Sequence, residues 1–144
     1  MKATFSSIWI HLIWTTKNLK KSIKDDFQKA LFSHIKNYAT HHKIYIDSIN
    51  GTSDHIHCLI SIKPNQNISV IVNKLKGESS HWINSSNFYK PKFIWQRGFG
   101  AFSVSYSQIE KVRKYIRNQM EYHKLRTYKE ELNRLAKKHK ISYK

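Results

Sequence analysis

Hydrophobic and polar positions alternate with two different periods along this chain, and the switches between periods mark its elements. In residues 7–15, Ile8, Ile10, Leu12 and Trp14 fall on one face of a strand, and Trp9, His11 and Ile13 on the other. Residues 44–49 and 55–62 alternate in the same way around an Asn50-Gly51 turn signal, which predicts a hairpin. A fourth strand is predicted at 99–104, entered through Gly98 and Gly100. Elsewhere the period is helical. Phe27, Leu31, His34, Ile35 and Tyr38 form a stripe over 25–39, and Asp25 and Asp26 suit its first turn. Ser69 is placed to cap a second helix with the stripe Ile68, Ile71, Val72, Leu75 and Trp82. Ser107 with Glu110, and Thr127 with Glu130, have capping-box spacing. They predict a third helix running to about residue 124 and a basic C-terminal helix.

The order strand, helix, strand, strand, helix, strand predicts an α+β, ferredoxin-like (RRM-like) antiparallel sheet with helices on one face. A C-terminal tyrosine-bearing helix and a further short helix follow it. With 4 glycines and 2 prolines, the 144 residues leave little room for long linkers. One domain over 1–144 is expected, with 127–144 as a basic C-terminal helix or tail. This fold hosts many functions and does not select one. Its open sheet face is a common place to hold single-stranded nucleic acid.

Charge narrows the choice. Lys and Arg total 26 against 9 Asp and Glu, a formal net charge of +17. Such self-repulsion calls for a polyanionic partner, with nucleic acid ahead of an anionic membrane surface. The longest apolar run, residues 8–14, is broken by His11 and is too short to span a bilayer. The lone cysteine, Cys58, cannot form an intrachain disulfide, and residues 1–5 lack a signal-peptide pattern. A cytoplasmic protein with no membrane role is expected.

Two constellations can carry chemistry. His55 and His57, two apart on a strand, project to the same side, as a shared metal ion requires, while Ile56 and Cys58 point toward the core. Two partly exposed histidines on a sheet would show the same spacing. Tyr115 and Gln119 lie four apart on a helix and face one direction, flanking an apolar stripe of Ile109, Val112, Ile116 and Met120, with their polar ends expected to point outward. A packed tyrosine beside a solvated glutamine is the plainer reading of that pair. Arg113, Lys114 and Arg117 surround Tyr115 with positive charge, which favours phenolate and attracts phosphate. Lys74, Lys76, Arg97 and Lys111 are further candidate phosphate contacts. Tyr122, two turns past Tyr115, is the alternative nucleophile, though no Gln lies four residues beyond it. His123 and Tyr106 read as peripheral and His11 as an ordinary sheet residue. Trp95 and Phe99 have base-stacking rings whose simpler use is core packing.

Together the constellations resemble the HUH single-tyrosine transposases of the insertion sequence 200/605 family. The similarity rests on Asp54-His55-Ile56-His57 on a strand and Tyr115-Ile116-Arg117-Asn118-Gln119 on a late helix. It extends to Trp14-Thr15-Thr16-Lys17, to Leu75-Lys76-Gly77-Glu78-Ser79-Ser80 and to Gly100-Ala101-Phe102-Ser103-Val104-Ser105, covering residues from about 7 to about 140. Ser53 stands where the family often has proline before the Asp-His-x-His segment.

The resemblance implies that His55, His57 and Gln119 hold a divalent metal, Mg²⁺ or Mn²⁺, and that Tyr115 is the nucleophile. It implies cleavage and rejoining of single-stranded DNA through a 5′-phosphotyrosine, hairpins near the element's ends as ligands, and a homodimer whose subunits share active sites. The competing readings are a non-catalytic ferredoxin-like module that binds single-stranded nucleic acid and a metal-dependent nuclease that activates water. The aromatic signature of RNA-recognition strands is absent, and the histidine pair has no use in a mere binder.

Overall fold

The computed structural model describes residues 2–141. Four strands form one antiparallel sheet in the order β2-β3-β1-β4: β1 (Ile8–Thr15), β2 (Tyr45–Gly51), β3 (His55–Ile62) and β4 (Gly100–Val104). The two central strands carry the functional alternation. β1 pairs with β3 so that Ile13 faces His57 and Thr15 faces His55, and β4 pairs with β1 so that Phe102 faces His11.

One sheet face carries Ile10, Leu12, Trp14, Ile56, Cys58 and Ile60. It is covered by α1 (Asp25–His41) and α2 (Ile68–Ser85). α1 contributes Phe27, Leu31, Ile35 and Ala39, spaced one turn apart, and α2 contributes Ile71, Val72, Leu75 and Ile83. This is the main core, where each fully buried aliphatic side chain contributes roughly 1.5–3 kcal/mol. Cys58 lies inside it, and burial pushes its thiol pKa up, as suits a packing residue. α2 is capped by the side chain of Asn67, which accepts from the Val70 N–H, rather than by Ser69. Trp95 also belongs to this core, with its Nε1 donating to Ser79 Oγ at 3.0 Å. It is not available to stack on bases.

The opposite sheet face, expected to be open, is covered as well. A 3-10 turn at Tyr106–Gln108 leads into α3 (Ile109–Arg117), a break at Asn118, the single turn α4 (Gln119–Tyr122) and then α5 (Tyr128–Lys138). Ile109 and Ile116 of α3 pack on Leu59 of β3, with Trp9, Val104, Val112 and Tyr115 around them. The predicted third helix is therefore two helices. Ser107 makes no capping box with Glu110; its hydroxyl bonds Ser105 instead. The break has a tertiary cause. Asn50 Nδ2, from β2, donates to the carbonyls of Ile116 (2.9 Å) and Arg117 (3.1 Å), occupying acceptors that an unbroken helix would use itself. The predicted Thr127–Glu130 box is formed and starts α5. The tail reading reached residue 144, and residues 142–144 lie outside the described part. No helix among the described residues is long and apolar enough to cross a membrane.

Candidate metal centre and nucleophile

The second sheet face gathers six side chains around one point. His55 and His57 stand side by side on β3, both fully buried. Their orientation is fixed at the ring atom facing away from the centre. Asp54 Oδ1 lies 2.6 Å from His55 Nδ1, and Thr52 Oγ1 lies 3.0 Å from the same atom. His11 Nε2 lies 2.7 Å from His57 Nδ1. With both Nδ1 atoms engaged, both Nε2 atoms turn to the shared centre. Outer partners of metal-binding histidines use this arrangement.

Gly51 makes the approach possible. A Cβ there would sit 2.2 Å from the His55 carbonyl oxygen, so the β2–β3 connection closes on His55 only without a side chain.

α3 brings in Tyr115, and the break at Asn118 turns Gln119 inward. Gln119 is fully buried, with Oε1 3.2 Å from His55 Nε2, whereas Met120 is half exposed. The expected outward direction of the Tyr115 and Gln119 polar ends is thus corrected: both point into the cluster. α3 is fastened to the sheet edge by Arg113, whose Nε and Nη2 bond Asp47 Oδ1 (2.8 Å) and Oδ2 (2.7 Å).

Two members were not expected. Glu131, on α5, is fully buried, and His123 sits between α4 and α5. Glu131 Oε1 lies 3.2 Å from His55 Nε2, 3.1 Å from His57 Nε2 and 3.1 Å from His123 Nε2. Its Oε2 accepts from the Tyr115 hydroxyl and from Gln119 Nε2 at 3.1 Å. A signal for each was present in the sequence. His123 is one turn beyond Gln119, and Glu131 interrupts the apolar stripe of Tyr128, Leu132, Leu135 and Ala136. His11, read as an ordinary sheet residue, is a buried partner of His57.

The electrostatics follow from this crowding. Burial pushes the His55 pKa down, but its bonds to Asp54 and Glu131 outweigh that and raise it from 6.5 to about 9. Burial prevails at His57 and lowers it to about 4. Burial acts upward on Glu131, yet hydrogen bonds from His123, His55 and His57 hold it far below the usual carboxylate range. Burial, then the Glu131 charge, raises Tyr115 well above an ordinary phenol, so it rests protonated.

The donor set fits a divalent cation. Ligand atoms of His55, His57, His123 and Glu131 all lie within 4.8 Å of one another, and the Gln119 amide oxygen adjoins them. Beside the cluster, a cleft of about 880 Å³ opens between β4, α3 and α5. Tyr115, His11 and Glu131 lie along it with Lys111, Arg134, Lys137 and Lys138.

The remaining sequence candidates are spread more widely. Lys74, Arg97, Lys111, Lys114 and Arg117 are exposed. Lys76 donates to the carbonyls of Gln96 (2.6 Å) and Gly98 (2.9 Å), and Arg113 is engaged with Asp47 and Glu110. Tyr122 packs against Tyr115, with ring centroids 5.3 Å apart, and its hydroxyl accepts from Arg134 at 3.0 Å.

The profile of the family described as Transposase IS200 like matches residues 4–119. The chain belongs to this family. It is 25% identical over 120 residues to the transposase for insertion sequence element IS200 of Salmonella typhimurium, covering 80% of this chain and 78% of that protein. It is 25% identical over 114 residues to the ISDra2 transposase TnpA of Deinococcus radiodurans, covering 76% and 81%. Two solved structures share the fold. One is a putative transposase from Deinococcus radiodurans (TM-score 0.66, 22% identity, covering 83% of this chain and 95% of that one). The other is a REP-associated tyrosine transposase bound to a REP hairpin (TM-score 0.64, 13% identity, covering 85% and 72%). The IS200-like transposase family and the α+β sheet read from the sequence are thereby both established.

Proposed function

We propose that this IS200-like transposase cleaves and rejoins single-stranded DNA in the cytoplasm, with Tyr115 as nucleophile and a divalent cation on the His55–His57 centre. The observation that carries this reading is the convergence of Tyr115, Gln119 and both His Nε2 atoms on one carboxylate, Glu131. His55, His57 and Gln119 would hold the cation. Three imidazoles near an amide and a carboxylate oxygen suit Mn²⁺ better than Mg²⁺, which prefers oxygen ligands alone. When bound, it would neutralise charge building on a non-bridging phosphate oxygen.

The chain's own residues do the rest. A strand enters the cleft beside α5, drawn by Lys111 and the Arg134, Lys137 and Lys138 cations. Tyr115 Oη forms a bond to phosphorus as the bond from phosphorus to the 3′-oxygen breaks, leaving a 5′-phosphotyrosine and a free 3′-hydroxyl. Glu131 holds the phenol in place and receives its proton as the new bond forms, because the attacking oxygen grows more acidic during attack. The departing 3′-oxygen takes a proton from water. A second 3′-hydroxyl reverses the step, so joining needs no external energy source.

A DNA hairpin near the element's ends is the proposed ligand, in line with the REP hairpin bound by the structural relative. The protein is proposed to act as a homodimer. One chain already brings Tyr115 to its own histidines, so sharing of sites would require Tyr115 to leave Glu131 and cross to the other subunit. Mixing Tyr115→Phe and His57→Ala proteins tests this: restored cutting requires shared sites.

The main test incubates purified protein with single-stranded element ends and Mn²⁺, followed by a denaturing gel. A covalent adduct mapped to Tyr115 is expected, lost in Tyr115→Phe with DNA binding retained. Unchanged cutting in that variant would instead indicate a nuclease using water. Absence of cutting by the wild type would leave a binding module.

A further inference from the structure

The segment after the tyrosine helix adds two donors to the centre. Glu131 Oε1 is within 3.1–3.2 Å of three imidazole nitrogens. Atoms bound to one cation at about 2.1 Å in octahedral positions are separated by roughly 3 Å along each edge, so these spacings are those of neighbouring ligands. The three rings share one arrangement. His55 has Nδ1 on Asp54, His57 has Nδ1 on His11, and His123 has Nδ1 2.8 Å from the Arg126 carbonyl oxygen. Each ring is therefore turned by an outer partner so that Nε2 faces the same oxygen. The Arg126 carbonyl takes the Nδ1–H of His123, so the Nε2 contact with Glu131 is the one a bound cation would replace.

The sign of the charge also matters. A lysine ammonium at this place would repel a cation. A fully buried carboxylate at the same place attracts a cation instead. Gln119 and Tyr115 are satisfied through the other oxygen, Oε2, which leaves Oε1 for the centre.

We propose that Glu131 and His123 are resident metal ligands, so that the centre is a three-histidine, one-carboxylate site completed by Gln119 and contributed in part by α5. This deepens the reading of His55 and His57 as metal ligands and rests on it. It also gives the C-terminal helix a defined task, since loading the centre would fasten α5 over the nucleophile.

The test needs neither DNA nor cutting. Mn²⁺ is titrated into the DNA-free protein and free Mn²⁺ is followed by its electron spin resonance signal. Glu131→Gln and His123→Ala are each expected to weaken binding by about tenfold or more. Binding by either variant as tight as the wild type, or tighter, overturns the proposal, and the latter would mark Glu131 as a competitor of the ion. A second measurement avoids variants that fail to fold. Electron–nuclear double resonance on Mn²⁺-loaded wild type, with ¹⁵N-labelled histidine, is expected to detect three directly bound imidazole nitrogens; two would overturn the proposal. If the wild type binds no Mn²⁺, the whole metal reading falls with it. If only the variants behave as wild type, the two-histidine site and the Tyr115 chemistry stand.

Discussion

His11 Nε2 lies 2.7 Å from His57 Nδ1, inside the sheet face and shielded from water. Burial, then the neighbouring His57, lowers the His11 pKa well below its ordinary value, so His11 is neutral and its Nε2 can accept. With a cation in place, His57 would keep its proton on Nδ1, shared with His11, and offer Nε2 to the ion. His11→Leu removes the acceptor with a side chain of similar size. The expected result is a roughly 10–100-fold loss of Mn²⁺ affinity, with a modest drop in melting temperature of the metal-free protein because a buried polar partner of His57 is lost. Unaltered affinity by calorimetric titration would show that His57 needs no such partner.

The reach of the sequence differs between the sheet and the site. Ile8, Ile10, Leu12 and Trp14 disclose their face by alternation alone, because a strand's period is local. The same rule put His55 and His57 together correctly. Gln119 lies on the expected stretch of chain but faces inward rather than outward, because its direction depends on Asn50, which is distant in sequence and bonds the helix carbonyls before Asn118. Glu131 and His123 were missed for a related reason. Their approach to His55 depends on how the chain turns between α4 and α5, and no periodicity crosses a turn. The acid within the apolar stripe of α5 was the available clue.

Gly51 and Gly77 predict opposite outcomes for one change. A Cβ at Gly51 meets the His55 carbonyl oxygen at 2.2 Å, and that oxygen accepts the Thr52 N–H at 3.0 Å, so neither side can yield freely. Gly51→Ala should destabilise by about 1–3 kcal/mol, read as a lower urea midpoint, and weaken metal binding by shifting His55. Gly77, inside α2, has nothing within 4 Å of its position. Gly77→Ala should stabilise by about 0.5–1 kcal/mol through helix propensity.

The Asp47–Arg113 pair ties α3 to β2 and makes a contribution that depends on acid. The hydrogen bond from Arg113 holds the Asp47 carboxyl below its ordinary 3.8, burial opposing. A depressed carboxyl stabilises the fold above the unfolded value and loses that contribution as pH falls below it. Thermal melts of the wild type should therefore drop below about pH 4. In Arg113→Ala the starting stability should be lower and this part of the acid slope shallower. Equal slopes in the two proteins would show that the pair does not hold the tyrosine helix in solution.

The cations beside the cleft should reveal themselves through salt. Lys111, Lys137 and Lys138 line the cleft that reaches Tyr115, whereas Lys29 is exposed on α1, against the other sheet face. If a single strand follows the cleft, each neutralised contact releases counterions, and the slope of log affinity against log salt should fall by about 0.7 for each contact removed. Lys111→Gln combined with Lys138→Gln should flatten the slope by roughly 1.4 and weaken binding at low salt across unrelated sequences. Lys29→Gln should leave the slope nearly unchanged. Fluorescence anisotropy with a labelled oligonucleotide, repeated over a salt series, measures both quantities. Equal slopes for the Lys29 and cleft variants would mean that the strand takes another path to the nucleophile.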